Sequence, residues 1–160
     1  MILFTNKRSS RLDYIIDFAW KLLSGEELIV SEDFSEYKNY NGAKVNYSHS
    51  RILDSEIWIM PHSLLFETGI TEQKIECFGI NGHKAFFKTE GSYPFDIFAA
   101  SFYLLSRYEE YLPYKKDEYC RYAHTDSLAY KEGFLNLPLV NIWMAELRLA
   151  LAAQFPNFPI

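Results

Sequence analysis

Cysteine is scarce in this sequence, and so are neighbouring histidines, surplus positive charge and long apolar runs. Two cysteines in 160 residues, Cys77 and Cys120, are too few for a disulfide framework and point to a reducing compartment. His49, His62, His83 and His124 never fall three or four residues apart, so no two imidazoles share a helix face, and neither metal nor other cofactor is expected. Sixteen basic against twenty-one acidic residues leave a net charge of −5, which disfavours a polyanionic partner and excludes nucleic acid. No apolar run approaches the ~18 residues of a membrane span, and Ile2-Leu3-Phe4-Thr5 follows Met1 without a basic leader or cleavage site. The expectation is a cytoplasmic protein with no membrane partner. Seven glycines and six prolines are dispersed, with no repeat or Gly/Ser linker, so residues 1–160 read as one domain.

What the chain does have is patterned apolar sequence and many rings. Ile2 to Thr5 reads as a strand; Ser10 and Asp13 have the spacing of a helix-capping box. Leu12, Ile15, Ile16, Ala19, Trp20 and Leu23 recur at helical intervals, Gly25 offers a stop, and Glu27 to Ser31 reads as a second strand. This is a strand, helix, strand opening with parallel pairing. Glu26, Glu27, Glu32, Asp33 and Glu36, with no intervening base, read as a solvated face.

The middle holds four β-type runs, Lys44 to Tyr47, Glu56 to Met60, Lys74 to Phe78 and Lys84 to Lys88. Asn81-Gly82 suits a two-residue hairpin turn with both residues at positive φ. A loop or short helix is expected from Pro61 through Phe66. The periodicity of Phe95, Phe98, Phe102, Leu105 and Leu112 predicts one long helix over residues 94–112, stopped by Pro113. Residues 114–131 read as a loop. Asn136 is placed to cap a last helix with Pro138 in its first turn, reaching Gln154. The fold class expected is α/β: one domain with a mixed sheet, an opening βαβ unit and a later antiparallel hairpin, covered by the 94–112 and 137–154 helices.

Candidate chemistry is thin. There is no Gly-x-Ser-x-Gly elbow, Cys120 near His124 reads as an ordinary free thiol, and Gly79 to Gly82 fits a turn better than a phosphate cradle. A charged cluster remains on the predicted 94–112 helix. Arg107 and Glu110 are spaced to pair, with Glu109 adjacent; Asp96 would oppose the positive end of the helix dipole, about 16 Å along the axis from Arg107. These four serve either as structural ion pairs or as ligand contacts. Aromatics make up 18% of the chain, and seven of twelve tyrosines, Tyr93, Tyr103, Tyr108, Tyr111, Tyr114, Tyr119 and Tyr122, fall between residues 93 and 122. Rings with a polar tip suit a packing belt, a sugar-stacking groove or a domain interface. Tyr108, Tyr111 and Tyr114 therefore join Asp96, Arg107, Glu109 and Glu110 as the candidate functional or interface set, with no residue assigned a catalytic role.

The stretch from Pro94-Phe95-Asp96-Ile97-Phe98 to Ser106-Arg107-Tyr108-Glu109-Glu110-Tyr111-Leu112-Pro113 resembles the uncharacterised amino-terminal domain that precedes a polysaccharide-deacetylase catalytic domain in bacterial proteins, mostly from the Bacteroidetes. Lys44-Val45-Asn46-Tyr47-Ser48, Leu64-Leu65-Phe66-Glu67 and Leu137-Pro138-Leu139-Val140-Asn141-Ile142-Trp143 extend the likeness in order. The deacetylases use a Thr-Phe-Asp-Asp motif and a His-x-x-x-His pair to hold a catalytic metal, and neither motif occurs here. The resemblance implies a non-catalytic accessory domain whose partner is the deacetylase domain of the same chain, with a glycan as a second candidate partner. The apolar end Phe155 to Ile160 would then adjoin that domain. The alternatives are a stand-alone glycan- or protein-binding module and a small enzyme using the charged cluster.

Overall fold

A computed structural model describes residues 1–23 and 27–159. Strand β1 (Ile2–Thr5) leads into helix α1 (Ser10–Leu23) and strand β2 (Ile29–Ser31); a short helix α2 (Phe34–Asn39) then precedes β3 (Lys44–Tyr47) and β4 (Ile57–Trp58). These strands form one parallel sheet in the order β2-β1-β3-β4, with Leu3 opposite both Val30 and Val45. The opening βαβ unit is present as expected.

Strand β1 is buried along its whole length because both faces of the sheet are covered. Side chains alternate across a strand, so Leu3 joins the main core under α1 while Ile2 and Phe4 join a small second core with Tyr37 of α2. Helix α2 has no counterpart in the sequence reading. Asp33, assigned there to a solvated acidic face, starts it by accepting from the amides of Ser35 (2.7 Å) and Glu36 (3.0 Å).

The cap of α1 lies one residue earlier than the Ser10 spacing suggests. Ser9 Oγ accepts from the Leu12 amide at 3.1 Å, and Asp13 turns to Arg8 Nε at 2.9 Å. Ser9 wins because its hydroxyl also donates to the Leu65 carbonyl, tying the helix start to the 3-10 turn Ser63–Phe66. Gly25, the expected stop, lies outside the described residues.

The antiparallel hairpin forms a separate two-stranded sheet, β5 (Phe78–Ile80) with β6 (His83–Ala85). Its turn is Asn81 (φ 49°) and Gly82 (φ 83°), the mirror-image turn expected. A hairpin this short needs support, and α5 (Leu139–Gln154) supplies it. His83 Nε2 meets Glu146 Oε1 at 2.8 Å, Asn81 Nδ2 donates to the same oxygen at 3.1 Å, and Trp143 Nε1 donates to the Lys84 carbonyl at 3.1 Å.

Two helix boundaries differ from expectation. The predicted 94–112 helix is α3 (Ile97–Leu105) followed by a break at Arg107 and a 3-10 turn, Tyr108–Tyr111. Asn136 does not cap α5; Pro138 occupies the cap position without a side-chain bond, and having no N–H it leaves one fewer amide to satisfy. The 114–131 loop contains a 3-10 turn at His124–Asp126 and one turn of helix α4 (Leu128–Lys131), whose Tyr130 amide donates to Ser127 Oγ at 3.2 Å.

The β4 edge is covered by the segment just before α3. Tyr93 donates its amide to the Trp58 carbonyl at 3.0 Å, and the Trp58 amide donates to Ser92 Oγ at 2.8 Å. Gly91 makes this closure possible: a Cβ there would lie 2.7 Å from the Trp58 oxygen and 2.8 Å from the Met60 nitrogen, both backbone atoms. Gly91→Ala should therefore lower stability by about 1–3 kcal/mol, the range for forcing an extra carbon into a packed site. Gly79→Ala, where a Cβ meets nothing within 4 Å, should change it by no more than about 0.5 kcal/mol. Urea unfolding of the two variants checks the contrast.

Candidate functional site

The seven residues singled out by sequence divide into two places. Asp96 lies at the start of α3, wholly buried, and is the cap of that helix. Its Oδ1 accepts from the amides of Phe98 (3.1 Å) and Ala99 (3.0 Å), and its Oδ2 from the Tyr47 hydroxyl and the His62 amide, both at 2.7 Å. Burial pushes its carboxyl up to about 6, against the four hydrogen bonds that pull it down. Asp96 lines neither of the clefts described below, so it does not join Arg107, Glu109 and Glu110.

Around Asp96 sit groups the sequence reading left unassigned. The His62 ring stacks on Phe87 with centroids 4.1 Å apart, and burial holds it below its ordinary 6.5. Phe87 has φ 59°, unusual for a bulky side chain, and its carbonyl accepts the Asp96 amide at 2.9 Å. A second buried carboxylate, Glu56, accepts from Asn46 Nδ2, the Ile52 amide and the Tyr37 hydroxyl, each at 2.8 Å. It closes the 48–55 connection between β3 and β4. Only a carboxylate inside an otherwise β-type run hinted at it.

The other place begins where α3 ends. Ser106 caps the helix, and Arg107 follows at φ 53°, ψ 45°, a left-handed position that glycine usually takes. Arg107 is 73% exposed and pairs with Glu110. The break turns the chain so that Tyr108 points inward, where its hydroxyl accepts from the Thr71 amide at 3.0 Å and donates to the Thr71 carbonyl at 3.1 Å. Arg11 stacks over its ring. Tyr108 is thus a packing residue, whereas Tyr111 (69%) and Tyr114 (39%) face solvent.

Glu109 is half-buried. It accepts from the Leu128 amide at 2.9 Å, and burial raises its carboxyl above the ordinary range. Two adjoining clefts open here, of about 390 and 650 Å³, and share Arg107, Glu110, Tyr122 and His124. The smaller one has an apolar floor from α3 and α5, including Leu104 and Val140. A larger hollow of about 820 Å³ lies at the amino ends of β1 and β3, where Lys44 and Asp54 are the charged side chains. Lys44 is occupied there by the Lys38 carbonyl at 2.8 Å, so the larger volume carries less usable chemistry than the Arg107 clefts. Tyr122 and His124 complete the site; the tyrosine concentration pointed to the first, and the second stood out in the sequence only as a neighbour of Cys120.

The two thiols are free and differ in setting: Cys120 is exposed in a turn at φ 60°, while burial pushes Cys77 up to about 11. Among the described residues no helix is long and apolar enough to cross a membrane.

A model of the family of unknown function DUF7033 matches residues 1–156, and the chain belongs to that family. No curated protein matches the chain. No solved structure matches it either.

Asp96→Asn should destabilise the protein by about 1–3 kcal/mol, because the amide keeps the helix cap but turns an N–H toward the His62 amide. Asp96 binds its proton more tightly folded than unfolded, so the stability it adds is complete below 3.8 and is lost as pH rises through about 6. Urea unfolding from pH 4 to 7 should accordingly show the gap between the two proteins narrowing with rising pH. Arg107→Gly should raise stability by about 0.5–1 kcal/mol, since relief of the left-handed conformation exceeds an exposed ion pair. A loss measured instead would mean that the Glu110 pair outweighs the backbone strain.

Proposed function

We propose that this chain is a non-catalytic accessory module of a carbohydrate-deacetylase-like protein, docking on the catalytic domain through the surface around Arg107 and helping to hold the glycan there. The observation that carries the reading is the occupancy of the charged candidates. Asp96 is consumed by four donors in the core, Glu109 is engaged by the Leu128 amide, and Arg107 and Glu110 by each other. A general acid or base needs a proton path to substrate, and these groups are already committed to holding backbone and one another.

The surface has the composition of a contact face. Tyr111, Tyr119, Tyr130, Leu135 and Leu137 are each about half exposed or more along residues 108–137. Rings and aliphatic groups at such density, rimmed by charge, favour association over a plain solvated surface. Two of the carboxylates beside the clefts are internally compensated, Glu110 by Arg107 and Asp117 by Arg121 at 3.4 Å. Fixed planar polar groups above an apolar floor suit a neutral, hydroxyl-rich ligand better than an ion. The deacetylase connection itself rests on the sequence resemblance.

The test uses a protein in which this chain precedes a deacetylase domain. Separately produced halves should associate, and Tyr111→Ser with Tyr119→Ser should weaken the association about tenfold or more without loss of fold, as for exposed interface tyrosines. Deacetylase activity, stability and substrate range all unchanged on deleting residues 1–160 would overturn the proposal.

A further inference from the structure

A strand at the rim of a sheet carries backbone N–H and C=O groups that need partners, and the rims of β4 and β6 are supplied with them. Residues 91–93 close β4, and on β6 the Lys84 carbonyl accepts Trp143 Nε1 at 3.1 Å. The rim of β5 differs. Ile80 and His83 flank the two-residue turn and exchange ladder bonds, so the next pair, Gly79 and Lys84, turns its backbone groups away from one another. Lys84 spends its outward carbonyl on Trp143, whereas Gly79 has no backbone partner on its outward side among the described residues, and a Cβ there would meet nothing within 4 Å.

The open rim continues ahead of β5. From Lys74 to Cys77 exposure alternates, Lys74 and Glu76 outside and Ile75 and Cys77 packed on the core, which is the period of extended chain. Lys74 Nζ reaches Glu76 Oε1 at 2.9 Å, as two residues on one face of such a chain can. No backbone group between residues 72 and 77 has a backbone partner among the described residues. Gln73, Ile75, Cys77 and Gly79 thus present their N–H and C=O groups along one line.

The charges on this rim select its occupant. In antiparallel pairing about a two-fold axis at Ile75, Ile75 meets Ile75 of a second copy and Gln73 meets its Cys77, each pair exchanging hydrogen bonds. Lys74 then stands opposite Glu76 of the second copy, and Glu76 opposite its Lys74, at the intervening positions where side chains approach most closely. Neighbouring axes do worse. One at Lys74 or Glu76 sets like charges face to face, one at Cys77 sets both charges against apolar side chains, and one at Gln73 leaves Glu76 opposite Ile70. We infer that residues 73–79 pair with the same residues of a second copy, as antiparallel strands about Ile75. The product is a four-stranded sheet, β6-β5-β5-β6, in place of two hairpins too short to be stable by themselves.

Analytical ultracentrifugation of the chain should show a concentration-dependent dimer, and hydrogen exchange at residues 73–79 should slow as it forms. Lys74→Glu and Glu76→Lys, both at exposed positions, should each weaken association about tenfold or more while leaving the circular dichroism unchanged, since either sets like charges opposite at two places. An equimolar mixture of the two variants should recover the dimer, because every charge then meets its opposite. A chain monomeric at all concentrations would overturn the pairing, as would a dimer that both variants leave intact. Slowed exchange at residues 73–79 that appears only when an unrelated extended peptide is added, with the chain itself monomeric, would overturn it as well.

Discussion

The Asp96 carboxylate is the point on which the arrangement of this protein turns. A buried anion is tolerated only where donors converge on it, and here they come from three separate stretches: the first turn of α3, the tyrosine ending β3, and the amide of His62. Those bonds fix where α3 starts relative to the sheet. The helix then runs apolar to Leu105, and its far end delivers Arg107 and Glu109 to the surface. The clefted face is thus positioned from the core outward, by a residue that takes no part in it.

Glu56 plays the corresponding part between β3 and β4. Both carboxylates accept a tyrosine hydroxyl together with backbone amides, so two of the buried rings of this aromatic-rich chain serve as rigid spacers with a polar end. This divides the surplus of rings that composition alone leaves ambiguous. Tyr37, Tyr47 and Tyr108 belong to the interior and Tyr111 and Tyr119 to the surface, although all are the same residue type.

The sequence made much of the fold legible because apolar periodicity and turn chemistry are local. The parallel opening needs only two short apolar runs flanking an amphipathic one, and Asn81-Gly82 specifies its turn almost alone. The break at Arg107 was not legible, since the apolar spacing continues through it to Leu112 and arginine is an unusual choice for a left-handed position. Helix α2 was hidden by its acidic flank, where Asp33 reads as charge until its capping role is seen. At the site, Arg107 and Glu110 were legible as a pair from their spacing. Asp96 was legible as a residue of the helix start, far along the axis from Arg107, and the structure makes it the cap of α3. His124 was legible only as a neighbour of Cys120, and its place in the cleft wall depends on contacts distant in sequence.

The hairpin at residues 78–85 has a consequence for how the chain acquires its shape. Its fastenings, Glu146 and Trp143, lie on the last helix, which also packs against α1 near the start of the chain and sends Gln154 to the Glu56 carbonyl at 3.0 Å. During synthesis the opening βαβ unit emerges long before the helix that covers it. Its apolar face must wait, exposed, until α5 has left the ribosome. The first and last helices consequently form a single cooperative unit, and folding cannot proceed piecemeal from the amino terminus.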